Sequence, residues 1–226
     1  MKLCDNTMEV LKNFSTINQG LIVKPGKVLK TISAGKTIMA EATIAEEFDQ
    51  EFGIYDLNKT LGLLTMNKAA PEVVVGKEFL TFTGLGGNAK IRQRFSPINL
   101  IFGYDKLDRK MLDICDININ ISQEIHNWIF SAASILKCPN IVIKSDGGDV
   151  EICAVDVKGE LVDDASVMVG EKSTETFYAV LKIENLKIIP GAYSVGIAKA
   201  GVTLWQHKDK KIKYWIALES SQSKFG

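Results

Sequence analysis

Two amphipathic segments, each followed by a long series of short strand-like segments, constrain the fold of this 226-residue chain most strongly. The first opens with Asp5 and Asn6, which are good N-cap residues, and Glu9 completes a capping box with Asn6. Its apolar residues fall on one helical face: Val10, Leu11, Phe14 and Ile17. The second segment is capped by Ser122, and its apolar stripe comprises Ile121, Ile125, Trp128, Ile129, Ala132 and Leu136. Each half of the chain therefore predicts a helix ahead of a β-rich region.

The segments that follow both helices alternate apolar and polar residues and are separated by turn residues, as in antiparallel strands. Residues 146–149, Asp-Gly-Gly-Asp, are the clearest hairpin signal. Short helices are predicted at residues 59–66 and 184–189, and the strand-to-helix junctions that precede them have similar patterns. We therefore predict an α+β chain with a duplicated fold. Its parts are a first domain at 1–95, a connector at 96–112 and a second domain at 113–226.

The charge balance limits how the chain could contact nucleic acid. It contains 27 basic and 27 acidic residues, whereas dedicated DNA-binding domains are often strongly basic. Any nucleic-acid contact must therefore come from the local placement of charge. The four cysteines form no CxxC pair and fit no zinc-site spacing, so we expect reduced thiols in a cytoplasmic protein. The N-terminal residues lack the apolar core of a secretory signal.

Several short motifs suggest chemistry but fail in their context. Gly35-Lys36-Thr37 resembles the end of a phosphate-binding loop, yet position 30 is lysine and the segment lies between two predicted strands. The glycine-rich residues 84–87 have no predicted helix after them. His126 and His207, the only histidines, do not have a metal-binding spacing, and the charged residues 207–211 are typical of a solvated turn. We therefore predict no catalytic residue, no metal and no cofactor.

A set of ordered matches resembles the DNA polymerase sliding clamps of T-even-type bacteriophages. The matches are at residues 1–3, 11–18, 40–42, 54–58, 61–62, 190–193 and 216–219, and they are dense over the first 65 residues and sparse in the second half. The resemblance implies a non-enzymatic homotrimeric ring of two similar αβ domains per chain, with helices lining the hole and sheets forming the outer wall. It also implies duplex DNA, bound without sequence preference, a clamp loader, the replicative DNA polymerase and late-transcription factors as partners, in the cytoplasm of the infected bacterial host.

The outward faces of the helices are where the resemblance places DNA. Lys12 lies nearly opposite the apolar face of the first helix, with Asn13 nearby and Lys2 just before the helix. We expect these residues to face phosphates; the alternative for Lys12 is an ordinary solvated lysine. The predicted outward face of the second helix has one reliable cation, Lys137, and includes His126 and Phe130. It departs from the basic face of the family, which leaves open whether this helix is rotated.

The resemblance also implies a small apolar pocket near the connector, which accepts a short peptide from the polymerase or the loader. An apolar cluster of this chain falls in that segment: Leu100, Ile101, Phe102 and Tyr104. We expect these side chains to line or cover the pocket, and ordinary core packing is the alternative. A different class of function, a phage structural or scaffold β protein that binds no DNA, would also explain the neutral charge. An esterase or metal-dependent enzyme has no motif here.

Overall fold

The computed structural model describes residues 1–66, 72–103 and 115–226. Contacts divide the chain into two compact units, Met1–Lys106 and Leu107–Gly226. The change from one unit to the next falls inside the predicted connector, of which residues 104–112 lie outside the described residues. The α+β fold class predicted from the sequence is confirmed.

Within the described residues, the first unit contains two helices that pack against each other and a set of antiparallel strands. Strand β1 pairs with β4, β2 pairs with β3, and β5, β6 and β7 form a three-stranded sheet in that order. The elements are α1 (Asp5–Ile17), β1 (Leu21–Val23), β2 (Gly26–Ile32), β3 (Ile38–Phe48), β4 (Phe52–Ile54), α2 (Leu57–Thr65), β5 (Glu72–Val75), β6 (Phe79–Gly84) and β7 (Ala89–Arg94). Helix α1 buries the apolar face predicted for it, and the Asp56 carboxylate caps α2 by accepting from the backbone N–H of Lys59 at 3.0 Å.

The start of α1 differs from the prediction. Cys4 is the N-cap and makes no side-chain capping bond. A carboxylate from β3 takes that role: Glu46 accepts from the backbone N–H of Cys4 and from the hydroxyl of Thr7. These hydrogen bonds outweigh the partial burial of Glu46, which acts in the opposite direction, and lower the pKa of its carboxyl group.

The described part of the second unit contains one long helix and nine strands. One sheet has the order β11-β10-β9-β12-β16, and a second antiparallel series runs β15-β14-β13-β8. The elements are β8 (Ile117–Ile121), α3 (Gln123–Leu136), β9 (Asn140–Asp146), β10 (Asp149–Val155), β11 (Ala165–Lys172), β12 (Thr176–Lys182), β13 (Tyr193–Ala198), β14 (Val202–His207), β15 (Ile212–Ala217) and β16 (Lys224–Phe225). The predicted hairpin at residues 146–149 joins β9 to β10, with Gly147 at a positive φ of 92°.

The orientation predicted for α3 is wrong, because the helix is rotated about its axis. Its buried residues are His126, Ile129 and Ala133, whereas Trp128 is 50% exposed. The helix packs on β10 and β11, and the His126 ring stacks on Phe130 with 4.4 Å between ring centroids. The apolar residues of this helix span a broad arc that includes the exposed Trp128 and Ile135, so periodicity alone did not determine which part of the arc faces the sheet.

The second predicted short helix, at residues 184–189, is only a single 3-10 turn at Ile183–Asn185. Beyond it, the backbone of Ile189 is bound by two tyrosine side chains. Its N–H donates to the hydroxyl of Tyr214 at 3.2 Å, and its carbonyl accepts from the hydroxyl of Tyr193. These buried side chains satisfy the backbone groups that a helix would otherwise pair.

Candidate functional site

The exposed face of α1 presents Lys12 to solvent, as the sequence predicts. Val10, Leu11 and Phe14 are buried on the opposite face, and Asn13 is half-buried beside Lys12. Among the described residues Lys12 has no ion-pair partner, so its charge is available to an anion. Lys2 is also exposed, and its backbone forms an isolated bridge with Glu72 beside β5.

Helix α2 supplies a further cation that sequence reasoning missed. Lys59 is exposed in the first turn of α2. The helix begins beside the end of α1, where the backbone N–H of Leu57 donates to the carbonyl of Gln19 at 2.8 Å. Because α1 and α2 pack together, two helices of the first unit present lysines to solvent. The amphipathic pattern of residues 57–65, with Leu57, Leu61 and Leu64 buried, could have indicated which residues face outward.

The exposed surface of α3 has a different character. Lys137 is exposed at the left-handed C-cap of the helix, with φ of 56°. The residues that the rotation turns outward include the apolar Trp128 and Ile135, which are 50% and 79% exposed, and the acidic Glu124. Helix α3 therefore has one exposed cation, Lys137 at its C-cap, whereas α1 and α2 each expose one lysine along their length, Lys12 and Lys59.

A pocket of about 270 Å³ lies in the first unit, next to the start of the predicted connector. Its lining combines apolar side chains with two lysines: Asn18, Gly20, Ile22, Lys24, Pro25, Val28, Lys30, Thr31, Phe102 and Gly103. Lys30 also forms an ion pair with Glu41 at 3.2 Å. The mixture suits a ligand that places an apolar group in a concave, partly polar surface.

The four residues of the predicted apolar cluster are placed differently from one another. Phe102 is 43% exposed and lines the pocket, whereas Leu100 is 62% exposed and does not line it. Ile101 is 8% exposed and packs into the core of the first unit. Tyr104 lies outside the described residues.

A second groove, of about 540 Å³, lies on the sheet of the second unit and contains none of the predicted site residues. Its side chains are largely paired: Lys144 contacts Glu151 at 3.0 Å. The hydrogen bond from Ser166, with help from Lys144, lowers the pKa of Glu151, and the hydrogen bond to Glu151 raises the pKa of Lys144. Both groups therefore stay charged and mutually satisfied.

No helix in the described part of the chain is long and apolar enough to cross a membrane.

Comparison with solved structures confirms the clamp fold. The proliferating cell nuclear antigen (PCNA) of Archaeoglobus fulgidus, solved bound to the C-terminal region of FEN-1, superimposes with a TM-score of 0.69 at 11% identity and covers 94% of both chains. The PCNA of Entamoeba histolytica gives 0.68 at 12% identity and covers 95% of both chains. The β clamp of Helicobacter pylori gives 0.67 at 9% identity, covering 96% of this chain and 64% of that one.

Sequence comparisons show similarity to phage sliding clamps. The model of the DNA polymerase processivity factors matches residues 5–75. The sliding clamp of Vibrio phage KVP40 is 27% identical over 97% of this chain and 100% of its own length. Those of Escherichia phage RB69 and Enterobacteria phage T4 are 25% and 27% identical, and each covers 99% of both chains. Such factors are not enzymes. These matches support the interpretation that the chain is a sliding clamp of the T-even phage type: it is similar to three such clamps over nearly its whole length, and its first third matches the DNA polymerase processivity factors.

Proposed function

We propose that three copies of this chain close into a ring around duplex DNA and tether the replicative DNA polymerase to its template, in the cytoplasm of the infected bacterium. The observation that carries the proposal is the match of nearly the whole chain to phage sliding clamps. The mechanism is topological: a polymerase that leaves the primer end stays at a high effective concentration near it, because the ring cannot leave the DNA.

The length of the chain supports the copy number. The chain has the length of a PCNA chain, whereas it matches only 64% of the β clamp chain. Each copy contributes two units, so three copies supply the six units of the ring that the family resemblance implies. Head-to-tail association with a rotation that closes gives three identical heterologous interfaces.

Two open sheet edges support ring closure. Strand β5 is covered by the N-terminal residues, because Met1 and Val73 exchange backbone hydrogen bonds of 2.6 and 2.8 Å. Strand β7 has β6 on one side and no strand among the described residues on the other, and β11 likewise pairs only with β10. Unpaired backbone groups along a strand favour pairing with another chain. We propose that β7 of one copy meets β11 of the next.

The charges beside these two edges are complementary. Strand β7 exposes three cations, Lys90, Arg92 and Arg94. The segment before β11 exposes three acids, Glu160, Asp163 and Asp164. Opposite charges that meet across an interface select the partner and fix its register. The neutral net charge of the chain is thus compatible with a surface on which cations and acids are separated for self-association.

DNA contact in this proposal is electrostatic and replaceable. Lys2, Lys12 and Asn13 face phosphates from the first unit together with Lys59, and Lys137 does so from the second unit. Phosphate contacts without base-edge contacts hold a duplex without fixing a position along it, which is what sliding requires.

The polymerase, the clamp loader and the late-transcription factors would use the pocket beside Phe102. The solved complex of A. fulgidus PCNA with the C-terminal region of FEN-1 supports such a mode, since that protein of the same fold binds a terminal segment of its partner. Because the pocket of each copy accepts one segment at a time, these partners would compete for the same copy of the chain.

Primer extension tests the proposal directly. The cognate polymerase, with its loader and ATP, extends a single primer on a long circular template in the presence and absence of this protein, with excess competitor DNA added after initiation. Products that lengthen severalfold only when the protein and the loader are both present are the expected result. Product lengths that do not respond to the protein would refute polymerase tethering.

A further inference from the structure

Asn18 joins three parts of the first unit through one side-chain amide. It is the C-cap of α1, and its backbone N–H donates to Phe14. Its Nδ2 donates to the carbonyl of Ile32 at the end of β2 and to the carbonyl of Phe102, both at 3.0 Å. Its Oδ1 accepts from the backbone N–H of Gly20 at 3.0 Å. Both the Nδ2 and the Oδ1 of the side-chain amide therefore form hydrogen bonds.

The residues on either side of Phe102 are held by close packing. A Cβ atom at Gly20 would lie 2.9 Å from a methyl of Ile101, and one at Gly53 would lie 2.6 Å from another. Only glycine at these two positions leaves room for Ile101, which is why this side chain is buried although it follows an exposed one. On the other side, a Cβ atom at Gly103 would lie 2.8 Å from Ile22.

The side chain of Phe102 itself is only partly buried. It is 43% exposed, and it lines the pocket together with Ile22 and Val28. Its neighbours are fixed on both sides, by the burial of Ile101 and by the close contact at Gly103. The Asn18 amide binds the carbonyl of Phe102 and so fixes the peptide plane that determines where the Phe102 ring points. The position of one wall of the pocket thus depends on this hydrogen bond.

We infer that Asn18 is the positioning residue of the partner pocket: by binding the Phe102 carbonyl it holds the Phe102 side chain where an apolar group of a polymerase segment packs against it. This inference rests on the proposed function, and it adds the residue on which the shape of the site depends. The occupant is a segment of the cognate polymerase, as the apolar lining of Ile22, Val28 and Phe102 requires an apolar side chain from the partner.

The substitution Asn18→Asp separates this role from general stability. A carboxylate can still accept from the Gly20 N–H, but it cannot donate, and it faces two carbonyl oxygens. We expect the affinity for the cognate polymerase, measured by biolayer interferometry at pH 8, to fall about tenfold. As the pH is lowered the introduced carboxyl gains a proton and can donate one hydrogen bond where the amide donates two, so we expect the affinity relative to wild type to recover in part. Circular dichroism of the variant at both pH values separates this change in affinity from a change in folding.

Gln19→Glu is the matched control, because it makes the same amide-to-acid change at the exposed neighbouring residue. We expect it to leave the affinity unchanged. Asn18→Ala removes the hydrogen bonds without adding charge, and we expect a loss of affinity that does not recover at low pH. If Asn18→Asp does not fold, as judged by circular dichroism, Asn18→Ala gives the same test of affinity.

Phe102→Ala distinguishes a failure of the positioning role of Asn18 from a failure of the pocket itself. If it weakens polymerase binding and the folded Asn18 variants do not, the positioning role is refuted while the pocket stands. If the polymerase binds wild type and neither Phe102→Ala nor the Asn18 variants weaken it, the pocket itself is refuted. Weaker binding by all of these variants, with the pH recovery confined to Asn18→Asp, is the result we expect.

Discussion

At the scale of single residues, His126 is a buried group whose charge state affects folding. It is 4% exposed, between Phe130 and Tyr193. Burial lowers the pKa of His126 below its ordinary value of 6.5, the hydrogen bond with Asn127 opposes this, and the nearby His207 adds to it. His207 is itself constrained, since its Nδ1 accepts from the backbone N–H groups of Asp209 and Lys210 at 3.1 and 3.2 Å.

Acid therefore destabilises the second unit through His126. The unfolded chain takes up a proton near pH 6.5 and the folded chain only at lower pH, so the free energy of unfolding falls as the pH drops below about 6.5. We expect His126→Phe, which keeps an aromatic ring against Phe130, to reduce this slope between pH 7 and pH 5.5. Urea unfolding at several pH values measures the slope. An equal slope in both proteins would assign the acid sensitivity to other groups.

At the scale of elements, α1 depends on a carboxylate that is distant in sequence. Glu46 on β3 bonds the first turn of the helix, where the partial positive charge of the helix dipole also favours an acid. We expect Glu46→Ala to lower the free energy of unfolding by about 1 to 2 kcal/mol. Glu47→Ala is the control, since its exposed contact with Lys27 at 3.8 Å is worth little. Chemical denaturation measures the free energy of unfolding of both variants. Equal losses in the two variants would contradict the capping role of Glu46.

A second prediction at the scale of elements concerns the exposed lysines of α1 and α2. Each phosphate contact that is lost should reduce the slope of log affinity against log salt by about 0.9. We therefore expect Lys12→Ala and Lys59→Ala each to flatten the salt dependence with which the assembled protein binds a short duplex. Lys36→Ala, in the β2–β3 turn, is the control. An unchanged slope in either helix variant would remove that lysine from the DNA-facing set.

How well an element could be predicted from the sequence depends on how far along the chain the residues lie that determine it. Local signals were enough for the apolar face of α1, for α2 and for the hairpin at residues 146–149, because the periodicity, the Asp56 cap and the turn glycines lie within or beside the segments that they define. The capping of α1 by Glu46 could not be predicted in this way. The orientation of α3 and the missing second short helix depend on tertiary partners such as β10 and Tyr214. Asn18 escaped notice because its partners Ile32 and Phe102 are 14 and 84 residues away.

At the scale of the whole molecule, the proposed contact between β7 and β11 makes assembly depend on charge. We expect Arg92→Glu combined with Arg94→Glu to weaken self-association at least tenfold, because acids would then face Asp163 and Asp164. Mixing this variant with one that has Asp163→Lys and Asp164→Lys should restore assembly in part. Sedimentation equilibrium measures both. Unaltered association of the first variant would exclude β7 from the interface.

The most direct test of the account is retention on DNA by gel filtration after loading with the cognate loader and ATP. The same plasmid is compared as a nicked circle and after linearisation. We predict that the protein stays on the circle and runs off the linear form, because a closed ring is held by topology and slides freely. Equal retention on both forms would indicate ordinary affinity and contradict encirclement. The absence of retention on either form, with a loader that is active on a known clamp, would contradict it as well.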